Sequence, residues 1–182
     1  MSVCGLLLAA GAGRRYGMPK ALVTVPGDGG ELLVERGLRT LREAGCAPVV
    51  VVLGASAHEV PELPGARVVV NPDWASGMGS SLRVGLAEAE GDAVAVLLVD
   101  TPGITPEAVR RVGAGADASS LRVATYHGVR GHPVVLGRAH WAGVAELAEG
   151  DVGARPYLRR HPPEPVPCED IADGRDLDVP DA

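Results

Sequence analysis

The chain has 182 residues, enough for one domain with its own core. Apolar residues make up 46% and charged residues 22%, with 17 Lys and Arg against 23 Asp and Glu for a net charge of −6. No basic run exceeds two residues and no apolar run approaches 18, so neither a nucleic-acid surface nor a membrane span is expected. The opening Met1-Ser2-Val3-Cys4-Gly5 has no basic stretch before its apolar run, and the expectation is a cytoplasmic chain without a leader. Cys4, Cys46 and Cys168 lie too far apart for a ligand pair or a disulfide framework, and they read as reduced thiols. The absence of Phe leaves Val, Leu and Ala to build the core.

Val3–Ala10 is a continuous apolar run, as expected of a strand covered on both faces. Residues 31–45 read as a helix, with Val34, Leu38 and Leu41 on one side and Glu35, Arg39 and Arg42 on the other. Strands are expected over 48–53 and 66–70. Ser80 or Ser81 can cap a helix reaching about Glu90. A fourth strand over 92–99 ends at Asp100, and Thr105-Pro106-Glu107 opens another helix. Strands follow over 121–126 and 133–136, then helices over 138–148 and 152–161, and a short strand near 166–168. This alternation predicts a Rossmann-like three-layer α/β/α domain over residues 1–182, with a mostly parallel, mixed central sheet.

The loop after the first strand reads Leu8-Ala9-Ala10-Gly11-Ala12-Gly13-Arg14-Arg15-Tyr16-Gly17-Met18-Pro19-Lys20. Small residues let the backbone approach a ligand, and successive N–H groups in such a turn can cradle an anion. Arg15 offers a planar fork for phosphate oxygens and Lys20 a mobile point charge. Two common phosphate loops fail here. Lys20 precedes Ala21 where a P-loop needs Ser or Thr, and the second strand ends Leu53-Gly54-Ala55 where a dinucleotide site needs an acid. A plain glycine turn with solvated arginines is the competing reading.

The whole first loop resembles the signature of nucleotidyltransferases, in particular the molybdenum-cofactor group of the molybdopterin cytidylyltransferase type. Further segments resemble that group in order: Asn71-Pro72-Asp73-Trp74 through Gly77-Met78-Gly79-Ser80-Ser81-Leu82, then Asp100-Thr101-Pro102, Gly131-His132-Pro133-Val134, Gly150-Asp151-Val152-Gly153-Ala154-Arg155, and Asp176-Leu177-Asp178-Val179-Pro180-Asp181. Tyr16, Thr101, His132 and Val179 stand where the group has Met, Gln, Asn and Thr.

The resemblance implies a nucleotide-diphospho-sugar transferase-like fold and a Mg²⁺-dependent enzyme. It moves a nucleoside monophosphate, CMP from CTP with GTP as the alternative donor, onto a phosphorylated acceptor, molybdopterin, and releases pyrophosphate. Lys20 and Arg15 are then assigned to the triphosphate and, with Asp100, form the catalytic set. The backbone of Leu8, Ala9, Ala10 and Gly11 lines base and ribose, and Gly13 of the same loop is also nucleotide-binding; Gly54 and Asn71 close the base side; Gly77, Ser80 and Ser81 start a helix whose N–H groups face an anion. Asp100 ends a strand, where a carboxylate can hold Mg²⁺ or serve a turn. The resemblance favours the metal, with Asp178 as a second ligand or a solvated tail acid. Contact with a molybdoenzyme or its chaperone is a further implication. His58, His127, His132, His140 and His161 show no ligand spacing, and Trp74 and Trp141 read as packing residues. A sugar phosphate, polyol phosphate or phospholactate remains an alternative acceptor. A nucleotide-binding regulator without turnover is the alternative from another class.

Overall fold

The computed structural model describes residues 2–25 and 27–178. Seven strands form one sheet: β1 (Val3–Ala9), β2 (Val49–Leu53), β3 (Arg67–Val70), β4 (Ala93–Leu98), β5 (Leu121–Tyr126), β6 (Val129–Gly137) and β7 (Glu164–Pro167). Their order is β3-β2-β1-β4-β6-β5-β7. β6 runs antiparallel to β4 and β5, and every other pairing is parallel. The mostly parallel, mixed sheet expected from the sequence is what forms.

Helices α1 (Leu33–Glu43) and α3 (Pro106–Gly113) cover one face; α2 (Met78–Glu88), α4 (Arg138–Leu147) and α5 (Arg155–Arg160) cover the other. The period-2 alternation of the strands sorts the core. Leu7, Ala9, Val51 and Leu97 pack with Leu38, Leu41, Val109 and Val112 of α1 and α3. Leu6, Leu8, Val50 and Val96 pack with Leu82, Leu86, Val144 and Leu158. Burial of each such side chain is worth about 1.5–3 kcal/mol, which is why the β1, β2 and β4 runs specify their strands without any aromatic help. Cys4, Cys46 and Cys168 are buried free thiols, and burial pushes that of Cys46 up to about 12.

Several boundaries shift for local reasons. α1 begins at Leu33, because the Glu35 carboxylate accepts a hydrogen bond from the Leu32 N–H at 2.8 Å. α2 starts at Met78 rather than at a serine cap: Gly77 is its N-cap, at φ 118°, and Ser80 and Ser81 lie inside its first turn. β6 is longer than expected and starts at Val129, because His127 and Gly128 (φ 51° and 81°) form the tight turn of a hairpin that pairs Tyr126 with Val129. α5 begins at Arg155, since Gly150 and Gly153 hold positive φ just before it. β7 covers Glu164–Pro167, slightly ahead of its expected place.

The chain passes from β1 outward to β2 and β3, then returns to place β4 on the other side of β1. Connections therefore diverge between the carboxyl ends of β1 and β4, where an open α/β sheet forms its ligand crevice.

Candidate active site

A cleft of about 370 Å³ opens at that point, between the loop after β1, the segment leading into α2 and the end of β4. Leu8, Ala10, Gly11 and Gly13 line it from the first loop. Ala9 does not; alternation along β1 turns it into the opposite core, where it is 2% exposed. Gly13 has φ +60°, and a Cβ there would lie 1.9 Å from the Met18 carbonyl oxygen. The loop folds back on itself through a hydrogen bond from Gly17 N–H to Gly13 O at 2.8 Å, so residue 13 must be glycine.

This fold-back carries the chain to Lys20. Lys20 Nζ donates to Asp100 Oδ2 at 2.8 Å and lies 3.5 Å from Asp178 Oδ1. The Lys20 and Asp100 side chains are 14% and 20% exposed. Among the described residues, Asp100 Oδ1 is buried without a hydrogen-bond partner. An unpaired buried carboxylate oxygen is costly, and on the wall of a nucleotide-sized cleft it is the donor a hard divalent cation takes. Asp178 reaches the same place because the last described segment crosses β4: Leu177 N–H donates to Asp100 O at 2.7 Å, and Leu177 packs with Val23, Val25 and Leu33. Asp176 stands nearby, and burial together with the charges of Asp100 and Asp178 raises its pKa. Lys20, Asp100 and Asp178 thus come together. The two carboxylates are the hard oxygen donors a divalent cation takes, with its remaining ligands left to phosphate and water, since no group of three or more candidate protein ligands forms among the described residues. Val179 to Asp181, the end of the terminal motif, lie outside the described residues.

Arg15 is placed differently from its assignment. It is exposed and not part of the cleft wall, whereas its neighbour Arg14 is. A glycine-rich turn fixes no side-chain direction by spacing, so the sequence could not choose between adjacent arginines. Asn71 is 1% exposed and also stands off the cleft. Its Nδ2 donates to Ser80 Oγ at 2.8 Å and Ser81 Oγ at 3.0 Å, and its Oδ1 accepts from Asp73 N–H. Ser80 Oγ in turn donates to Gly77 O or Asp73 O. This buried knot holds the segment before α2, and of its three side-chain partners only Ser81 reaches the cleft.

Gly77 lines the cleft, and at φ 118° its Cβ would meet Gly150 backbone atoms at 2.4 Å. The 150–155 loop can therefore dock on α2, through Gly79 N–H to Gly150 O at 2.8 Å, which brings Asp151 to the cleft. Gly54 lies behind the wall: a Cβ would come within 2.5 Å of Trp74, whose side chain sits over it. Trp74 does line the cleft, while Trp141 is buried and donates from Nε1 to Leu136 O. Thr101 is buried, donates from Oγ1 to Leu98 O and does not line the cleft. Arg14, Trp74 and Asp151 are cleft residues that the assignment of roles passed over, although Trp74 and Asp151 fall in motifs read above.

A second cavity of about 570 Å³ adjoins the first and shares Leu8, Met78 and Leu98 with it. His132, Arg155 and Asp176 are on its wall. Burial pushes the His132 imidazole down to about 4, against the opposing pull of Asp100.

A cation-fitting carboxylate, a lysine and a glycine-rich loop at the crevice of a mixed α/β sheet define a nucleotide-handling enzyme that works on phosphates. The MobA-like NTP transferase domain matches residues 5–166, and the chain belongs to that family: it is a nucleotidyltransferase of MobA-like type. It is 40% identical to the nicotine blue oxidoreductase of Paenarthrobacter nicotinovorans, over 97% of this chain and 92% of that one. It is 34% identical to a probable molybdenum cofactor guanylyltransferase of Chloroflexus aggregans, over 58% of this chain and 50% of that one. It is 42% identical to the 2-C-methyl-D-erythritol 4-phosphate cytidylyltransferase of Saccharopolyspora erythraea, over 65% and 58%. The chain thus spans only half to three-fifths of the last two relatives' length. Among solved structures, the manganese complex of Rv0371C from Mycobacterium tuberculosis H37Rv is similar at a TM-score of 0.75 and 27% identity, over 99% of this chain and 91% of that one. No helix among the described residues is long and apolar enough to cross a membrane.

Proposed function

We propose that this chain transfers CMP from CTP to a phosphorylated acceptor, molybdopterin, with release of pyrophosphate and with Mg²⁺ as the cation. The observation that carries this reading is the Lys20–Asp100 pair on the cleft wall with Asp100 Oδ1 unpartnered. Such a transfer needs in-line positioning and neutralisation of charge rather than covalent help from the protein. Asp100, with Asp178 as the second carboxylate, would hold the cation, which offsets the negative charge of the triphosphate. Lys20, whose ammonium pairs with Asp100 in the free protein, would donate to a phosphate oxygen of the bound triphosphate. Arg14 reaches phosphate from the cleft wall, and Arg15, one residue on, does so from the exposed side of the same turn. Leu8, Ala10 and Gly11 take the base and ribose, and the adjoining cavity takes the acceptor. The working unit is one domain over residues 1–182.

Support for CTP is the Ala10 methyl at the cleft and the cytidylyltransferase among the relatives; a guanylyltransferase stands beside it. Pyrophosphate release measured with CTP or GTP, molybdopterin and Mg²⁺ tests the reading. Metal-dependent release with CTP supports it, and no release with either nucleotide overturns it.

A second reading is redox chemistry, favoured by the 40% identity to a relative named an oxidoreductase along nearly the whole of both chains. The same cleft would then hold a nucleotide-borne hydride donor and the adjoining cavity the compound reduced. Oxidation of NADPH or NADH in the presence of a reducible ring compound distinguishes it.

A further inference from the structure

The segment after β7 lies along the turn that follows β4. Thr105 Oγ1 donates to Ile171 O at 3.0 Å, Asp173 N–H donates to Gly103 O at 3.1 Å, and Leu177 N–H donates to Asp100 O at 2.7 Å. The two stretches thus run side by side in opposite directions. The turn carries Asp100 and the segment carries Asp178, so one register places both carboxylates. Two glycines permit this approach. A Cβ on Gly103 would lie 2.5 Å from the Asp173 carbonyl oxygen, and one on Gly174 would lie 2.3 Å from Tyr126 Cδ2. Neither glycine has a positive φ, so each is needed for space rather than for conformation. The Tyr126 ring is itself held, because its hydroxyl donates to His132 O at 2.7 Å. Asp178 has Lys20, at 3.5 Å, as its single side-chain partner among the described residues. The backbone path, not a side-chain network, therefore decides where its carboxylate stands.

We propose that Gly103 and Gly174 are positioning residues of the cation site: they let the segment lie against the 100–105 turn in this register, which sets Asp178 beside Asp100. A methyl group at either position lifts the segment and withdraws the second carboxylate. The inference rests on the cation site of the transferase reading and names what builds it. A hard cation takes carboxylate oxygens only at ligand distance, and groups that orient its ligands matter nearly as much as the ligands themselves. Asp100 ends a strand of the sheet and stays in place when the segment moves, so the loss is partial. The clash at Gly103 is with the segment's own backbone and the clash at Gly174 is with a ring below it, so the two substitutions displace the segment through different partners.

Mn²⁺ binding to the full chain, with neither nucleotide nor acceptor present, tests the inference, the free ion being read by its electron paramagnetic resonance signal. Gly103→Ala and Gly174→Ala are each expected to weaken Mn²⁺ several-fold, as Asp178→Asn does. On the Asp178→Asn background Gly174→Ala should cost nothing further, a result that a general loss of packing would not give. Gly113→Ala, where the added methyl meets nothing beyond its own helix, should leave binding unchanged. A thermal melt of each variant shows that the chain is folded, and either glycine variant alone carries the test. Wild-type affinity in the folded glycine variants overturns the inference, as does further weakening on the Asp178→Asn background or a wild-type chain that binds no Mn²⁺. The transferase reading fails separately, when neither CTP nor GTP yields pyrophosphate although the glycine variants still lose Mn²⁺ affinity.

Discussion

Lys20 Nζ and Asp100 Oδ2 are 2.8 Å apart, although 80 residues separate them, and the contact joins the loop after β1 to the end of β4 across the sheet's divergence point. Each residue is the other's counter-ion in the free protein. On the proposed reading, a triphosphate with its cation would supply a better partner to both, and substrate binding would exchange one ion pair for two charge-assisted contacts.

Lys20→Ala is therefore expected to cut turnover by orders of magnitude while the chain stays folded. The ammonium stands at a cleft wall, not in either core, and opens only a short turn. Steady-state kinetics beside a thermal melt checks this; activity within about threefold of wild type contradicts the assignment of Lys20 to phosphate, since loss of a positioned charge costs far more.

Asp100→Asn is expected to raise the Mg²⁺ concentration needed for half-maximal activity and to lower the maximal rate. The amide keeps the shape but not the charge that a hard cation requires. An unchanged Mg²⁺ titration contradicts the role. Asp178→Asn should give a smaller effect of the same sign, because that side chain is 60% exposed and comes from a crossing segment rather than a strand end.

CTP is expected to exceed GTP by roughly ten- to a hundred-fold in kcat/KM, the range that one methyl worth about 1–3 kcal/mol can give. Ala10 is 5% exposed and lines the cleft, and its carbonyl is fixed by the Ala55 N–H at 2.9 Å. The methyl thus cannot move aside without disturbing the turn that follows β2. Ala10→Gly should narrow the gap; equal rates for both nucleotides in the wild type would mean that the loop does not read the base.

Stability should fall on the acid side because of His132. The imidazole titrates at about 4 in the folded chain against 6.5 normally. The unfolded chain takes up its proton first as pH falls, so stability present above 6.5 is lost progressively down to about 4 and not further. Urea unfolding across that range, for wild type and His132→Asn, checks it: the variant should show the flatter dependence.

The strands and the two-sided core were legible because unbroken apolar runs such as Val49–Leu53 have few other fates. Lys20 and Asp100 were singled out from their motifs, and the fold places both on one cleft wall. Side-chain direction was not legible in loops, as Arg14 and Arg15 show. Ala9 was within reach, since period-2 alternation from Leu8 already turns it away. Asn71 and Ser80 stand off the cleft and only Ser81 reaches it, because short polar residues before a helix serve a buried hydrogen-bond knot as readily as a ligand, and only the fold shows which donors are already satisfied. The second cavity draws on β6, α5 and the segment after β7, and no local pattern joins those segments.

Transfer of the α-phosphorus is the central claim, and isotopic labelling tests it most directly. CTP labelled at the α-phosphorus, incubated with the enzyme, Mg²⁺ and molybdopterin, should place its label in the acceptor product, whereas label at the γ-phosphorus should leave in pyrophosphate. Label from the γ-position in the acceptor, or α-label that never leaves the free nucleotide pool, would contradict the account.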